Sequence, residues 1–319
     1  MSVNANDGPP RRYVVTGAAI AAVALVVVLG FAFVSGIDSS LGDLDLFPTV
    51  DSGDTSISWT PDGHHIVVAR GQDDSEALYR VNADGGDPTR LTSPEGAAED
   101  PAVSPDGKRV AYVAGSEVDV YVADADGSDK TRITRDDAVE GDPSWSPNGR
   151  EIAFVRGYDL EVQSELYVMH ADGTYMRRLT RGGDIEETPS WSPNGAWIAY
   201  EAYPGVYVIS AHGRGKRRLV TSGLASPVWS PDGERLAVVE DPATIKVVDL
   251  GSRDVRRLDV SRPVGPDDVP RAPDDLAWSP DGKVIAFTAE GDLYTVRLSD
   301  GRVRRLSDCV DGGDTRCTT

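Results

Sequence analysis

The side chains that could do chemistry are few. Four histidines, His64, His65, His170 and His212, fall in unrelated contexts, two after a turn, one before Ala-Asp-Gly, and one in the matching turn further on. An imidazole metal centre needs such ligands at a repeated spacing, and none recurs. Asp124-Ala-Asp126-Gly-Ser-Asp129 has the opening of a calcium loop but lacks the later acidic ligand of an EF-hand. It coincides with a turn that recurs as Asn82-Ala-Asp-Gly and His170-Ala-Asp-Gly, so hairpin chemistry accounts for it. No Gly-x-Ser-x-Gly elbow is present, and no cofactor or catalytic set emerges. The expectation is a binding protein, not an enzyme, with no cofactor.

The carboxylates are better placed. The formal charge is -20, which disfavours nucleic acid and anionic lipid heads and favours cations or basic partners. Acids gather at Glu95 to Asp100, Asp136 to Asp142, Asp184 to Glu187 and Asp267 to Asp275. Within these, Glu99, Asp100, Asp142, Glu187, Asp274 and Asp275 stand one or two positions ahead of a recurring motif. A concave ring of such groups would take a cation or a basic segment of a protein partner. The bland reading is loop geometry and solubility. The stretch Asp259 to Asp275, with Arg262, Asp267 and Asp268, is the longest proline-rich link. It is the first candidate for partner contact, since long loops on rigid frames are frequent binding elements.

The motif that positions these acids occurs six times: SWTPDGHHIVVAR from Ser58, AVSPDGKRVAYVAG from Ala102, SWSPNGREIAFVR from Ser144, SWSPNGAWIAYEA from Ser190, VWSPDGERLAVVE from Val228 and AWSPDGKVIAFTAE from Ala277. Its prolines, 61, 105, 147, 193, 231 and 280, lie 44, 42, 46, 38 and 49 residues apart, the period of a four-stranded propeller blade. In each unit a first strand stops at Pro, and Asp-Gly or Asn-Gly supplies the positive-φ residues of a tight turn. A second strand such as Ile152 to Val155 is apolar on both faces and must be covered on both. A third strand such as Leu166 to Met169 runs into a second turn. A fourth carries Arg-Leu-Thr or a variant, its arginines (Arg90, Arg132, Arg177, Arg178, Arg217, Arg218, Arg256, Arg257, Arg304, Arg305) guarding an exposed edge or forming a cationic belt.

These units resemble the TolB-type β-propeller repeat, whose hallmark is Pro-x-Trp-Ser-Pro-Asp-Gly followed by an apolar strand. The resemblance implies an all-β fold, a six-bladed toroid with a central channel over residues 52–307, working as a protein-binding or scaffolding module of the cell envelope. An enzyme or ligand sensor using the channel is the alternative. The departures are Val103 for Trp in the second unit, Ile57 and Leu276 for the leading Pro in the first and sixth, and Leu250-Gly in the fifth. TolB proper has an α/β domain ahead of its blades, and residues 35–51 leave no room for one after the apolar segment described next.

Tyr13 to Val34 contains no charged residue, and 22 residues at about 1.5 Å each reach roughly 33 Å, enough to cross a bilayer. Arg11 and Arg12 precede it and Asp38, Asp43 and Asp45 follow. The expectation is a single transmembrane signal-anchor helix at 13–34, with residues 1–12 cytoplasmic and the rest outside. A removed signal peptide is the competing reading. Cys309 and Cys317 lie in the tail 308–319, where an extracytoplasmic compartment permits a disulfide.

Overall fold

The computed structural model describes residues 53–71, 76–93, 97–116, 118–159, 163–182, 184–221, 225–261 and 272–306, all within one unit, Phe47–Thr319. These residues form 24 strands in six four-stranded antiparallel sheets, each sheet built from strands consecutive in sequence. Blade 1 comprises Gly53–Trp59, His65–Gly71, Ala77–Asn82 and Thr89–Arg90; blade 2 Ala98–Val103, Arg109–Ala114, Asp119–Asp124 and Thr131–Arg132; blade 3 Val139–Trp145, Glu151–Asp159, Gln163–His170 and Arg177–Arg178. Blade 4 comprises Glu186–Trp191, Trp197–Ala202, Gly205–Ser210 and Arg217–Val220; blade 5 Ala225–Trp229, Arg235–Asp241, Thr244–Asp249 and Val255–Asp259; blade 6 Asp275–Trp278, Val284–Ala289, Asp292–Arg297 and Val303–Arg305. The first strands follow one another around a ring and border the channel, blade 6 meeting blade 1.

The doubly apolar second strands explain the ring. Ile152, Ala153, Phe154 and Val155 are all buried, and so are their counterparts in the other blades apart from the half-buried Glu201. Six apolar clusters occupy the six seams, one of them joining Ile57, Ile66 and Val68 of blade 1 to Ala286, Leu293 and Leu306 of blade 6. Among the described residues every sheet is built from one continuous stretch of chain, and packing joins blade 6 to blade 1.

The recurring motif is spent on turns and seams. In Ser104-Pro-Asp-Gly107 the Ser104 hydroxyl donates to Asp106 at 2.7 Å and accepts the Arg109 amide at 2.9 Å, while Gly107 N–H donates to Ser104 O. Only the glycine has positive φ, between 67° and 73° in all six turns. The Asp or Asn, expected to share that conformation, instead accepts amides through its side chain. Each such glycine also faces the proline of the preceding blade, Gly107 against Pro61 and, closing the circle, Gly63 against Pro280. Trp145 Nε1 donates to Ala102 O at 2.9 Å, Trp278 Nε1 to Val228 O at 3.2 Å and Trp59 Nε1 to Ala277 O at 3.1 Å, each across a seam.

The Arg-Leu-Thr of the fourth strand ties that strand inward. Thr92, Thr134 and Thr180 Oγ1 each accept a third-strand amide at 2.9 Å, from Leu78, Val120 and Leu166. Arg90, Arg132 and Arg178 Nε in turn donate to the carbonyls of those threonines. The candidate span 13–34, Arg262, Asp267, Asp268 and the cysteines Cys309 and Cys317 lie outside the described residues. Among the described residues no helix is long and apolar enough to cross a membrane.

Candidate functional site

The carboxylates singled out in the sequence fall into two layers along the channel. The inner layer sits at the fifth position before each motif proline: Ser56, Asp100, Asp142, Thr188, Ser226 and Asp275. Asp100, Asp142 and Asp275 therefore belong to first strands and not to links. In the four blades with a leading proline the ring residue takes φ between 42° and 50° and marks a break in strand register. Aspartate tolerates this left-handed conformation better than most side chains.

This layer sews blade to blade. Asp100 N–H donates to Ser56 Oγ at 3.0 Å, Asp142 N–H to Asp100 Oδ2 at 3.2 Å, and Thr188 N–H to Asp142 Oδ2 at 3.0 Å. At the next seam Thr188 Oγ1 is buried without a hydrogen-bond partner. There the Ser226 backbone faces Glu201, a second-strand carboxylate. Ser226 Oγ donates to Asp274 O at 3.2 Å, and Ile57 N–H donates to Asp275 Oδ2 at 2.9 Å. Ile57 stands where four other blades carry proline, so the departure from the repeat frees the amide that completes the ring.

Desolvation dominates the acidity of this wall. Burial holds the Asp142 carboxyl well above the usual aspartate range, Asp100 adding to it by repulsion, and burial lifts Asp275 to about 7. The amides donated to these carboxylates pull the other way without winning.

The outer layer, one residue nearer the mouth, holds Glu99, Glu187 and Asp274. Glu99 shares a hydrogen bond with Glu76, and burial together with that like charge pushes it up to about 9. Glu187 lies directly opposite Glu201 on the neighbouring strand. Burial first and Glu187 second push Glu201 up to about 8. Like charges facing each other across strands destabilise a sheet unless a proton is held between them. Glu99, Glu187 and Glu201 have no basic partner among the described residues.

Sequence reasoning missed Glu201. The signal was available: its counterparts are Ala69, Val113, Val155, Val239 and Thr288, four of them apolar. Two buried acids at first-strand starts lay inside the acidic runs of the sequence without being singled out. Glu140 accepts from Thr134 Oγ1 at 2.9 Å and pairs with Arg156 at 2.8 Å; Glu186 accepts from Thr180 Oγ1 and pairs with Lys216 at 3.5 Å. Burial lifts Glu140 to about 7. The equivalent residue of blade 2 is Ala98, so repeat comparison alone does not point to a carboxylate there. Among the described residues no three His, Cys, Asp or Glu side chains converge to hold a metal ion.

PD40, the TolB beta propeller domain, matches residues 101–262, half of the chain. The chain belongs to the TolB beta propeller domain family. No curated protein matches it. Among solved structures, TolB from Acinetobacter baumannii is 22% identical with a TM-score of 0.62, covering 81% of this chain and 64% of its own. This chain thus spans less than two thirds of that TolB. A putative TolB from Agrobacterium tumefaciens is 20% identical, TM-score 0.58, covering 72% of this chain and 87% of its own. An oligogalacturonate lyase in complex with manganese is 15% identical, TM-score 0.56, covering 81% and 79%. These likenesses are of fold: the TolB-type propeller frame carries binding proteins and enzymes alike.

Proposed function

We propose that this TolB-family propeller is a membrane-anchored, extracytoplasmic scaffold that receives a basic segment of an envelope protein at the acidic mouth of its channel. The observation that carries the reading is the pairing of carboxyls there, Glu76 with Glu99 and Glu187 with Glu201, with no base beside Glu99, Glu187 or Glu201 among the described residues. Asp100, Asp142 and Asp275 are engaged by neighbouring amides, whereas burial and a facing carboxyl keep Glu99 and Glu201 protonated, and an incoming lysine or arginine can displace those protons. A cationic side chain would then trade one proton for one ion pair, and affinity would rise with pH as the pairs ionise. The likeness to TolB supports an envelope protein-binding role, and the apolar run 13–34 supports the anchor.

The test is affinity capture from cell envelopes with the full chain against a Glu99→Gln, Glu187→Gln, Glu201→Gln variant, eluted at pH 6 and pH 9. Loss of the captured protein from the variant, with tighter retention of the wild type at pH 9, is expected. Equal capture by both proteins discards the acidic mouth as the site. Extraction of the membrane fraction with alkaline carbonate checks the anchor, which requires the chain to stay with the lipid.

A further inference from the structure

The seam between blades 5 and 6 differs from those between blades 1 and 2 and blades 2 and 3 on the face opposite the mouth. There the turns joining third to fourth strands meet the preceding blade. In blades 2 and 3 the turn glycine presses on that blade: a Cβ on Gly127 would stand 2.0 Å from Leu91 O, and one on Gly173 2.4 Å from Ile133 O. The corresponding glycine of blade 6, Gly301, has nothing within 4 Å of such a Cβ. The turns explain it. Gly127 N–H donates to Asp124 O, three residues back, whereas Gly301 N–H donates to Arg297 O, four back, and blade 5 has the wider form too, with Arg253 N–H on Asp249 O. The wider turns leave the seam unfilled, and a groove of about 480 Å³ opens over it.

An arginine stands over the gap. In blade 3, Arg177, opposite Val168, reaches the next blade's turn through Nη1 to Ala211 O at 2.6 Å. In blade 6, Arg304, opposite Thr295, does the same through Nη2 to Asp84 O at 2.9 Å. Arg256, opposite Val247, is their counterpart in blade 5. It lines the groove and is exposed, and among the described residues its side chain has no hydrogen bond or ion pair. The other bases of the lining are already neutralised, Arg235 by Asp232, Lys283 by Asp281 and Arg297 by Asp300. The lining acids Asp249 and Asp254 are engaged within the blade 5 turn, Asp249 Oδ1 accepting the Gly251 and Ser252 amides and Asp254 Oδ2 the Ser252 hydroxyl, without a basic partner among the described residues. Val247, Val284 and Leu298 supply an apolar floor.

The groove is also bordered by the longest of the fourth strands. Val255–Asp259 has five residues against two to four elsewhere, and Val255, at the groove's end, is 44% exposed. A long outer strand offers unpaired backbone groups to an extended peptide. On a chain of net charge -20 a free guanidinium beside an apolar floor selects a carboxylate with an aliphatic neighbour.

We propose that the blade 5–6 groove docks an extended acidic peptide of a partner protein, with a carboxylate on Arg256 and an aliphatic side chain on Val247, Val284 and Leu298. This surface is separate from the channel mouth and takes a partner segment of the opposite charge, so either reading can fail without the other.

The test is panning a random heptapeptide display library on the full chain in detergent, followed by titration of the selected peptides. Enriched sequences should pair Asp or Glu with Leu, Ile or Val and weaken as salt rises. They should lose about tenfold or more in affinity with Arg256→Glu, a swap of like size to removing one charge-assisted contact. Arg217→Glu, the same charge change at the matching site of blade 4, controls for net charge and should leave binding within about twofold, as should Glu99→Gln. Arg256 is exposed, and an unchanged melting temperature for Arg256→Glu is part of the expected result. Absence of enrichment, peptides indifferent to Arg256→Glu, or binding that appears only when residues 307–319 are deleted, which would make the tail the occupant, would each overturn the proposal.

Discussion

The seams between blades 1 and 2 and between blades 5 and 6 come from the same repeat, yet one is shut on its turn face and the other is open. Gly127 of blade 2 fits a space that leaves no room for a methyl group against Leu91 O, while Gly301 of blade 6 borders empty space. Near the channel the two seams are alike, each crossed by a hydrogen bond from a first-strand residue. The inner wall therefore fixes blade number and ring closure, and the outer turn face is where a blade can depart from its neighbours without loosening the ring. Where residues follow the repeat most closely they are occupied with packing, and the candidate binding residues gather where it is broken: at Glu201, and at Arg256 beside the wider turns of blades 5 and 6.

The sharpest way to break this contrast is the same substitution at both glycines. Gly127→Ala must displace backbone and hold φ near +89°, so a loss above about 3 kcal/mol is expected from overpacking and left-handed strain together. Gly301→Ala meets only the left-handed penalty at φ +72°, about 1 kcal/mol. Urea unfolding of both variants measures the difference; equal losses would mean the two seams are equally packed.

Next in size is the inner stitch. Asp142→Ala removes the acceptor of the part-buried Thr188 amide and leaves that N–H unsatisfied, costing about 1–3 kcal/mol. Asp142→Asn keeps an acceptor oxygen and ends the repulsion with Asp100, so it should be neutral or stabilising. If Asn proves as damaging as Ala, the aspartate does something other than clasp the amide.

The Glu187–Glu201 pair gives a pH-dependent effect of up to a few kcal/mol. Folded, Glu201 keeps its proton until about pH 8, while unfolded it gives it up near the ordinary glutamate value of 4.5. Across that window the folded state holds more protons, so this group's contribution is complete below about 4.5 and is lost as pH rises through about 8. Glu201→Gln should match the wild type at pH 4.5 and exceed it in stability at pH 8.5. Thermal melts at the two pH values decide, and a gain of the same size at both would place the effect outside titration.

The frame was legible because its causes are local. Turn residues, a Pro that ends a strand and a doubly apolar second strand repeat visibly, and with a period of four strands they dictate stacked blades. The acids were legible as a set but not in their roles. That Asp100 and Asp142 accept an amide from the next blade depends on left-handed kinks and on neighbours more than 40 positions away, which no local pattern encodes. Thr188, rather than Glu187, occupies the ring position of blade 4, a shift of one residue that alignment on Pro-x-Trp reveals only once the ring is known. Glu201 was hidden by its setting, an acid in a strand that otherwise reads as core. Arg256 was visible only as one of a series of edge arginines; its distinction is a missing partner, which belongs to three dimensions.

The smallest expected effect separates members of that arginine series. Arg177 spans a closed seam, with 2.6 Å to Ala211 O and 3.0 Å to Glu151, and is only partly exposed. Removing it leaves a carbonyl and a carboxylate without a partner, and Arg177→Ala should cost about 0.5–1.5 kcal/mol. Arg256 spans an open seam and touches neither turn nor acid among the described residues, so Arg256→Ala should stay within about 0.5 kcal/mol of the wild type, the range of an ordinary surface change. Paired urea titrations would resolve the gap. A loss for Arg256→Ala as large as that for Arg177→Ala would show that the guanidinium is already engaged in the free protein, and a group held in that way is not waiting for a peptide carboxylate.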